Sequence, residues 1–146
     1  METIDIAMSI RTPFEGAWEL LSDQEGYTFA RQVSEATLIE KGREEKNGTG
    51  AVLKIRAMGA TIFWEVVTFE PPDRFEYRIT EFPIPFRHDI GSVELTSRDD
   101  YTDVRWRSAF EVPVPLAGHL LELIIRRVFG KVHRSILEQA KALLEA

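Results

Sequence analysis

The chain has 146 residues, 44% hydrophobic and 29% charged, enough for one ordinary domain with a real core. A formal net charge of -6 disfavours nucleic acid and a basic membrane-docking face, since an acidic surface repels phosphate groups. The lack of cysteine removes disulfides, thiolate nucleophiles and cysteine-ligated metals together, and no apolar run is long enough for stable membrane insertion.

The start, METIDIAMSIRT, alternates and carries Glu2 and Asp5, so it reads as neither signal nor transit peptide; a cytoplasmic protein is expected. Thr3 to Arg11 is a strand with one buried face, Ile4, Ile6, Met8 and Ile10. Thr12 then Pro13 is an N-cap followed by proline at the first helical position, and Phe14, Ala17, Trp18 and Leu21 follow at helical spacing up to Ser22 and Asp23. A second short helix is expected over Glu25 to Arg31. Strands follow over Ser34 to Lys41, Gly50 to Met58, Thr61 to Glu70, Arg74 to Phe82, Asp89 to Ser97 and Tyr101 to Val112. The breaks between them are Gly42 to Gly48, Gly59, Pro71-Pro72-Asp73, Pro83-Ile84-Pro85 and Arg98 to Asp100.

Pro113-Val114-Pro115 ends the strands and opens one long helix, Pro115 to about Leu144. Its apolar stripe is Leu121, Ile125, Val128, Val132, Ile136 and Leu143; Arg127, Lys131, Arg134, Glu138 and Glu145 lie opposite. Leu116 to Ile125 is apolar nearly all round, so that end should be the more covered one or border something apolar. The pattern specifies an α+β fold: a bent, seven-stranded antiparallel sheet wrapped around the C-terminal helix, with two short helices after the first strand. A curved sheet on a single helix readily leaves a space between them.

This order resembles the helix-grip fold of the START-like (SRPBCC) superfamily, in its polyketide cyclase/dehydrase-like branch. The residues that carry the resemblance are Pro13 to Asp23, Asn47-Gly48-Thr49-Gly50, Trp64-Glu65-Val66-Val67, Phe69 to Arg74, Val104-Arg105-Trp106 and the proline-led last helix. The resemblance spans nearly the whole chain and implies one domain over residues 1–146. It also implies binding of a lipid- or polyketide-like molecule in an internal cavity, cofactor-independent cyclase or dehydratase-like activity, or a chaperone-regulating role, because this fold hosts all of these. The longer glycine-rich loop ending in lysine of the plant members is absent, as is the His-rich set of iron-binding oxygenase domains.

The inward faces are expected to carry Ile62, Trp64, Val66 and Thr68; Phe75, Tyr77, Ile79 and Glu81; and Val104, Trp106, Ser108, Phe110 and Val112. Trp64, Tyr77, Trp106, Phe110, Ile124 and Val128 are the expected walls of a site for a hydrophobic or aromatic small molecule. For the two tryptophans, filling the core is as good a reading as lining a cavity. Tyr77 favours the cavity, because a buried hydroxyl needs a partner.

Glu40 and Glu81 fall in phase with Leu38 and Ile79, which turns them inward, where a buried carboxylate can exchange protons; their nearness to strand ends, where water reaches, competes with that. His88 reads first as a solvated loop histidine and second as an acid/base at the cavity mouth. An enzyme would rest on Glu81, His88 and Tyr77. His119, Arg126 and His133 recur every seven residues and read as the solvated border of the helix stripe; the histidines, about 21 Å apart at 1.5 Å per residue, cannot share a metal. No metal or cofactor is expected. No Gly-x-Ser-x-Gly elbow, phosphate loop or dinucleotide fingerprint occurs. Phe82-Pro83-Ile84-Pro85-Phe86 puts apolar groups on a stiff segment: a lid, a partner contact or a tucked loop. A homodimer stays open.

Overall fold

A computed structural model describes all residues, Met1–Ala146. Strands β1 (Glu2–Ile10), β2 (Val33–Glu40), β3 (Val52–Ala57), β4 (Ala60–Glu70), β5 (Arg74–Glu81), β6 (Arg87–Arg98) and β7 (Tyr101–Glu111) form one sheet in the order β1-β7-β6-β5-β4-β3-β2. Every neighbouring pair is antiparallel. Helix α1 (Phe14–Ser22) and a 3-10 helix (Gln24–Phe29) carry the chain from one edge strand, β1, to the other, β2. Helix α2 (Gly118–Leu144) closes the concave face. This is the α+β helix-grip architecture that the hydrophobic periodicity specifies.

The sheet bends because its ladders are interrupted. Register shifts fall between Leu38 and Glu40, between Phe63 and Trp64, between Val66 and Thr68, and between His88 and Ile90. Each extra residue raises local twist and turns the strand. The α2 backbone runs close to β1, β7, α1 and the 3-10 helix, and its approaches to β3, β4 and β5 are few. The sheet therefore grips the helix on one side and stands away from it on the other, and only side chains cross the resulting gap.

Three local details differ from the sequence reading. Pro13, not Thr12, occupies the cap position of α1; Thr12 is buried, and its carbonyl accepts the Thr102 hydroxyl at 3.0 Å. The long helix starts at Gly118, three residues after Pro115, because Leu116 takes a left-handed φ of +67° and breaks the helical run. The first turns of α2 are the less covered end, not the more: Leu116, Leu120, Leu123 and Ile124 are exposed, as is Leu143 near the other terminus. The buried arc of α2 runs through Ile125, Phe129, Val132, His133, Ile136, Leu137 and Ala140, with Leu121 partly buried against the core, whereas Leu116, Leu120, Leu123 and Ile124 point away from it.

Candidate functional site

The gap between α2 and β3–β5 is a cavity of about 260 Å³. The β3–β4 hairpin supplies Ile55, Ala57, Met58, Ala60, Ile62 and Trp64, and β5 with the following loop supplies Tyr77, Ile79 and Phe82. Trp106 comes from β7, and Ile125, Val128, Phe129, Val132, His133 and Ile136 come from α2. Met58, 47% exposed at the hairpin tip, and the half-buried Val128 and Phe82 mark the rim. Histidine is the one wall residue of 16 outside the hydrophobic class, so a ligand here is held mainly by apolar burial.

The polar atoms converge at one place. Trp106 donates its indole N–H to Tyr77 Oη at 2.9 Å, and Tyr77 Oη lies 3.4 Å from His133 Nε2. His133 Nδ1 stands 2.6 Å from the Phe129 carbonyl one helical turn back. A carbonyl only accepts, so Nδ1 carries the imidazole proton and Nε2 presents a lone pair. Burial holds His133 neutral, pulling its pKa down to about 4 against the favourable Phe129 bond. Burial likewise pushes the Tyr77 phenol up to about 12, although Trp106 and Ser108 favour its ionised form.

The Tyr77 ring is positioned from three sides. Trp64 lies across it at 4.6 Å between centroids, with its own indole N–H given to Gln24 Oε1 at 2.7 Å. His88 stacks on it at 5.6 Å and 20°. Gly91 lies beneath it on β6, where any Cβ would come within 2.2 Å of the ring. Only glycine permits that approach.

The sequence-designated residues separate in space. Trp64, Tyr77, Trp106 and Val128 meet at the cavity. Phe110 does not: it is fully buried one layer away, between Phe86 (5.3 Å) and Phe129 (5.7 Å). Ile124 is a correction too. It is 50% exposed on the outer side of α2, one residue out of phase with the wall residue Ile125. Glu40 and Glu81 are exposed, because the register shifts between Leu38 and Glu40 and opposite Glu81 break the alternation that would have turned them inward. Glu81 borders a separate surface depression with Thr80 and Ile84.

His88 is no loop residue. It sits in β6 and is buried. Its Nδ1 accepts the Ile79 backbone N–H at 3.0 Å, so Nε2 carries the proton and donates to Ser108 Oγ at 2.8 Å. The imidazole thus takes the place of a ladder partner for β5 beyond the Tyr77–Gly91 pair. Burial, with smaller contributions from His133 and Arg78, depresses its pKa to about 3. The Phe82–Phe86 segment is tucked in: the two rings stack at 4.1 Å, Phe82 reaches the rim, and only the prolines are exposed.

His133 is the residue that sequence reasoning missed. The seven-residue spacing grouped it with the exposed His119 and Arg126, yet an α-helix drifts about 20° per heptad, and two heptads turn it toward the sheet. Its signal was the bracket of Phe129, Val132, Ile136 and Leu137, with Phe129 one turn before it. No group of three His, Asp or Glu side chains is close enough to hold a metal ion.

No curated protein matches the chain. Solved structures do, at identities that speak for the fold alone. An aromatase/cyclase, Zhui, from Streptomyces sp. R1128 superposes with a TM-score of 0.78 at 15% identity, covering 99% of this chain and 93% of that one. TTHA0849 from Thermus thermophilus gives 0.77 at 20% identity over 97% and 95%. A START superfamily protein from Mycobacterium smegmatis gives 0.76 at 12% identity over 98% and 97%. The sequence profile of one family, polyketide cyclase / dehydrase and lipid transport, matches residues 1–145. That match over nearly the whole length places the chain plainly: the protein belongs to the polyketide cyclase / dehydrase and lipid transport family.

Proposed function

We propose that the protein binds a small, uncharged, mostly apolar molecule in the cavity between α2 and β3–β5. The observation that carries this reading is the composition of the wall: 15 of 16 residues are hydrophobic, and the polar atoms gather at one end, at Tyr77 and His133. That is the pattern of a site that takes its affinity from burial and its orientation from one polar contact. Size narrows the class. An apolar cavity of about 150 Å³ takes up benzene, so about 260 Å³ suits a molecule of one or two rings or a comparable chain. Trp64, Tyr77, Trp106 and Val128 are its contacts, and the cytoplasm is its setting.

The cyclase- or dehydrase-like alternative needs a group that takes and returns protons near neutral pH. His88 and His133 are depressed to about 3 and 4, Tyr77 is raised to about 12, and Glu81 is on the surface. None suits that task, which favours binding over turnover. The protein-interaction alternative draws little from the Phe82–Phe86 segment, whose rings are engaged within the domain.

Native mass spectrometry of gently purified protein tests the proposal, together with calorimetry using naphthalene as probe. The expected result is one retained apolar compound, or saturable 1:1 heat with naphthalene that Val128→Asp abolishes. No retained compound and no saturable heat would sink it.

A further inference from the structure

We propose that the cavity selects ligands carrying a hydroxyl group, which donates to His133 Nε2 and accepts from the Tyr77 O–H. This rests on the ligand-binding reading above and names the ligand class.

The argument begins with an acceptor that is poorly served. His133 Nδ1–H is committed to the Phe129 carbonyl at 2.6 Å, so Nε2 offers a lone pair toward the sheet. Its one partner is Tyr77 Oη at 3.4 Å, long against the usual 2.5–3.0 Å for a hydroxyl donor to oxygen and at the weak end of any hydrogen bond. The tyrosine oxygen cannot simply close that distance. It receives the Trp106 indole N–H at 2.9 Å, and its ring is clamped between Trp64 and His88 over Gly91. Two fixed polar atoms thus stand side by side at one end of an apolar cavity, too far apart for a good hydrogen bond to each other, and both residues line it.

A ligand hydroxyl placed on the cavity side of both atoms, within hydrogen-bond reach of each, bridges them with complementary chemistry. Its hydrogen goes to Nε2, and its lone pairs take the tyrosine hydrogen, which at 3.4 Å is hardly engaged. An ether or ketone oxygen can accept from Tyr77 but turns lone pairs on Nε2. A bare ring leaves the buried acceptor unpaired. A carboxylate brings a charge into walls with no cation, and an ammonium finds no anion. Sites built to bond a hydroxyl discriminate strongly against analogues that lack it, because their own buried groups are then left unmade. The class is therefore a neutral phenol or alcohol on a one- or two-ring apolar frame.

The test compares 2-naphthol, 2-methoxynaphthalene and naphthalene by calorimetry on the whole protein, with ¹⁵N NMR of the imidazoles. The expected result is that 2-naphthol binds at least tenfold tighter than either analogue, and that it alone shifts the His133 Nε2 resonance. His133→Phe should bring the three affinities within threefold of one another. Where that variant does not fold, the wild-type ranking and the Nε2 shift decide. Equal wild-type affinities, or an unmoved Nε2 signal, would overturn hydroxyl selection and leave the apolar-ligand proposal standing. No binding of any of the three would remove both.

Discussion

The ring of Tyr77 lies directly on the backbone of Gly91, in the gap that a side chain at 91 would fill. An added Cβ would stand 2.2 Å from Tyr77 Cζ and 2.5 Å from Cε1. This places a constraint on β6 directly under the residue that carries the hydroxyl at the polar end of the cavity.

Gly91→Ala should therefore act on stability and site together. Overpacking of this severity costs about 1–3 kcal/mol, or a fall in melting temperature of roughly 2–4 °C per kcal/mol in a domain of this size. The displaced phenol loses its Trp106 bond, so binding of a hydroxylated probe should weaken with it. Urea denaturation and calorimetry on the variant measure both; wild-type stability would show that the ring moves freely, against the clamped geometry.

Acid should weaken the fold well above the carboxylate range. His88 and His133 have folded-state pKa values near 3 and 4, against an ordinary 6.5. The unfolded chain takes up protons from pH 6.5 downward while the folded one does not, so their contribution is whole above about pH 6.5 and is lost as pH falls toward 4 and 3. The groups around them are Tyr77, Ser108 and Arg78 near His88, and Tyr77, Trp106 and the Phe129 carbonyl near His133; none supplies an anion at neutral pH. Asp5 and Asp103, held low by hydrogen bonds from Arg105 and Arg98, add their smaller loss only at lower pH. The expected loss between pH 7 and 4 is on the order of 3–6 kcal/mol. His133→Gln should flatten the slope. Urea midpoints that stay level over that interval would contradict buried, neutral histidines.

Met58 separates stability from retention. It lines the cavity, yet its φ is +49°, a left-handed conformation that costs a non-glycine residue about 1–2 kcal/mol. With Gly59 at φ +81° it makes the two-residue turn that twisted hairpins favour. Met58→Gly should keep or raise the melting temperature and speed ligand release, because the apolar rim is shortened. Stopped-flow displacement gives the release rate; an unchanged rate would take Met58 out of the site.

The elements were legible because their periods are strong. The clean β1 and β7 alternations and the proline breaks placed strands to within a residue or two, and the order of strands and helices fixed the grip. The site was half legible. Trp106 could be read because β7 stays in register through it, and Trp64 and Tyr77 because the short run from Trp64–Ile79 to Val66–Tyr77 keeps its alternation between two register shifts. Glu81 and Glu40 could not, since a bulge moves a side chain to the other face without any mark in the sequence. His88 was hidden for a related reason: its role is to mend the ladder where β5 and β6 part, which depends on two strands at once.

The boundary of the cavity on α2 can be drawn by neighbouring substitutions. Val128 lines the cavity and is half-buried, whereas Ile124, one turn earlier, is 50% exposed and faces away. A carboxylate at 128 meets apolar walls without a cation, so Val128→Asp should abolish binding of an apolar probe and destabilise the fold by about 1–3 kcal/mol. Ile124→Asp leaves its charge in water and should change stability by no more than about 0.5 kcal/mol, with probe affinity intact. The contrast is read by calorimetry on the two variants at one pH near neutrality. Equal losses would mean that the outer face of α2 also contributes to the site, and the wall would then have to be redrawn to include the exposed Leu120 and Leu123 beside it.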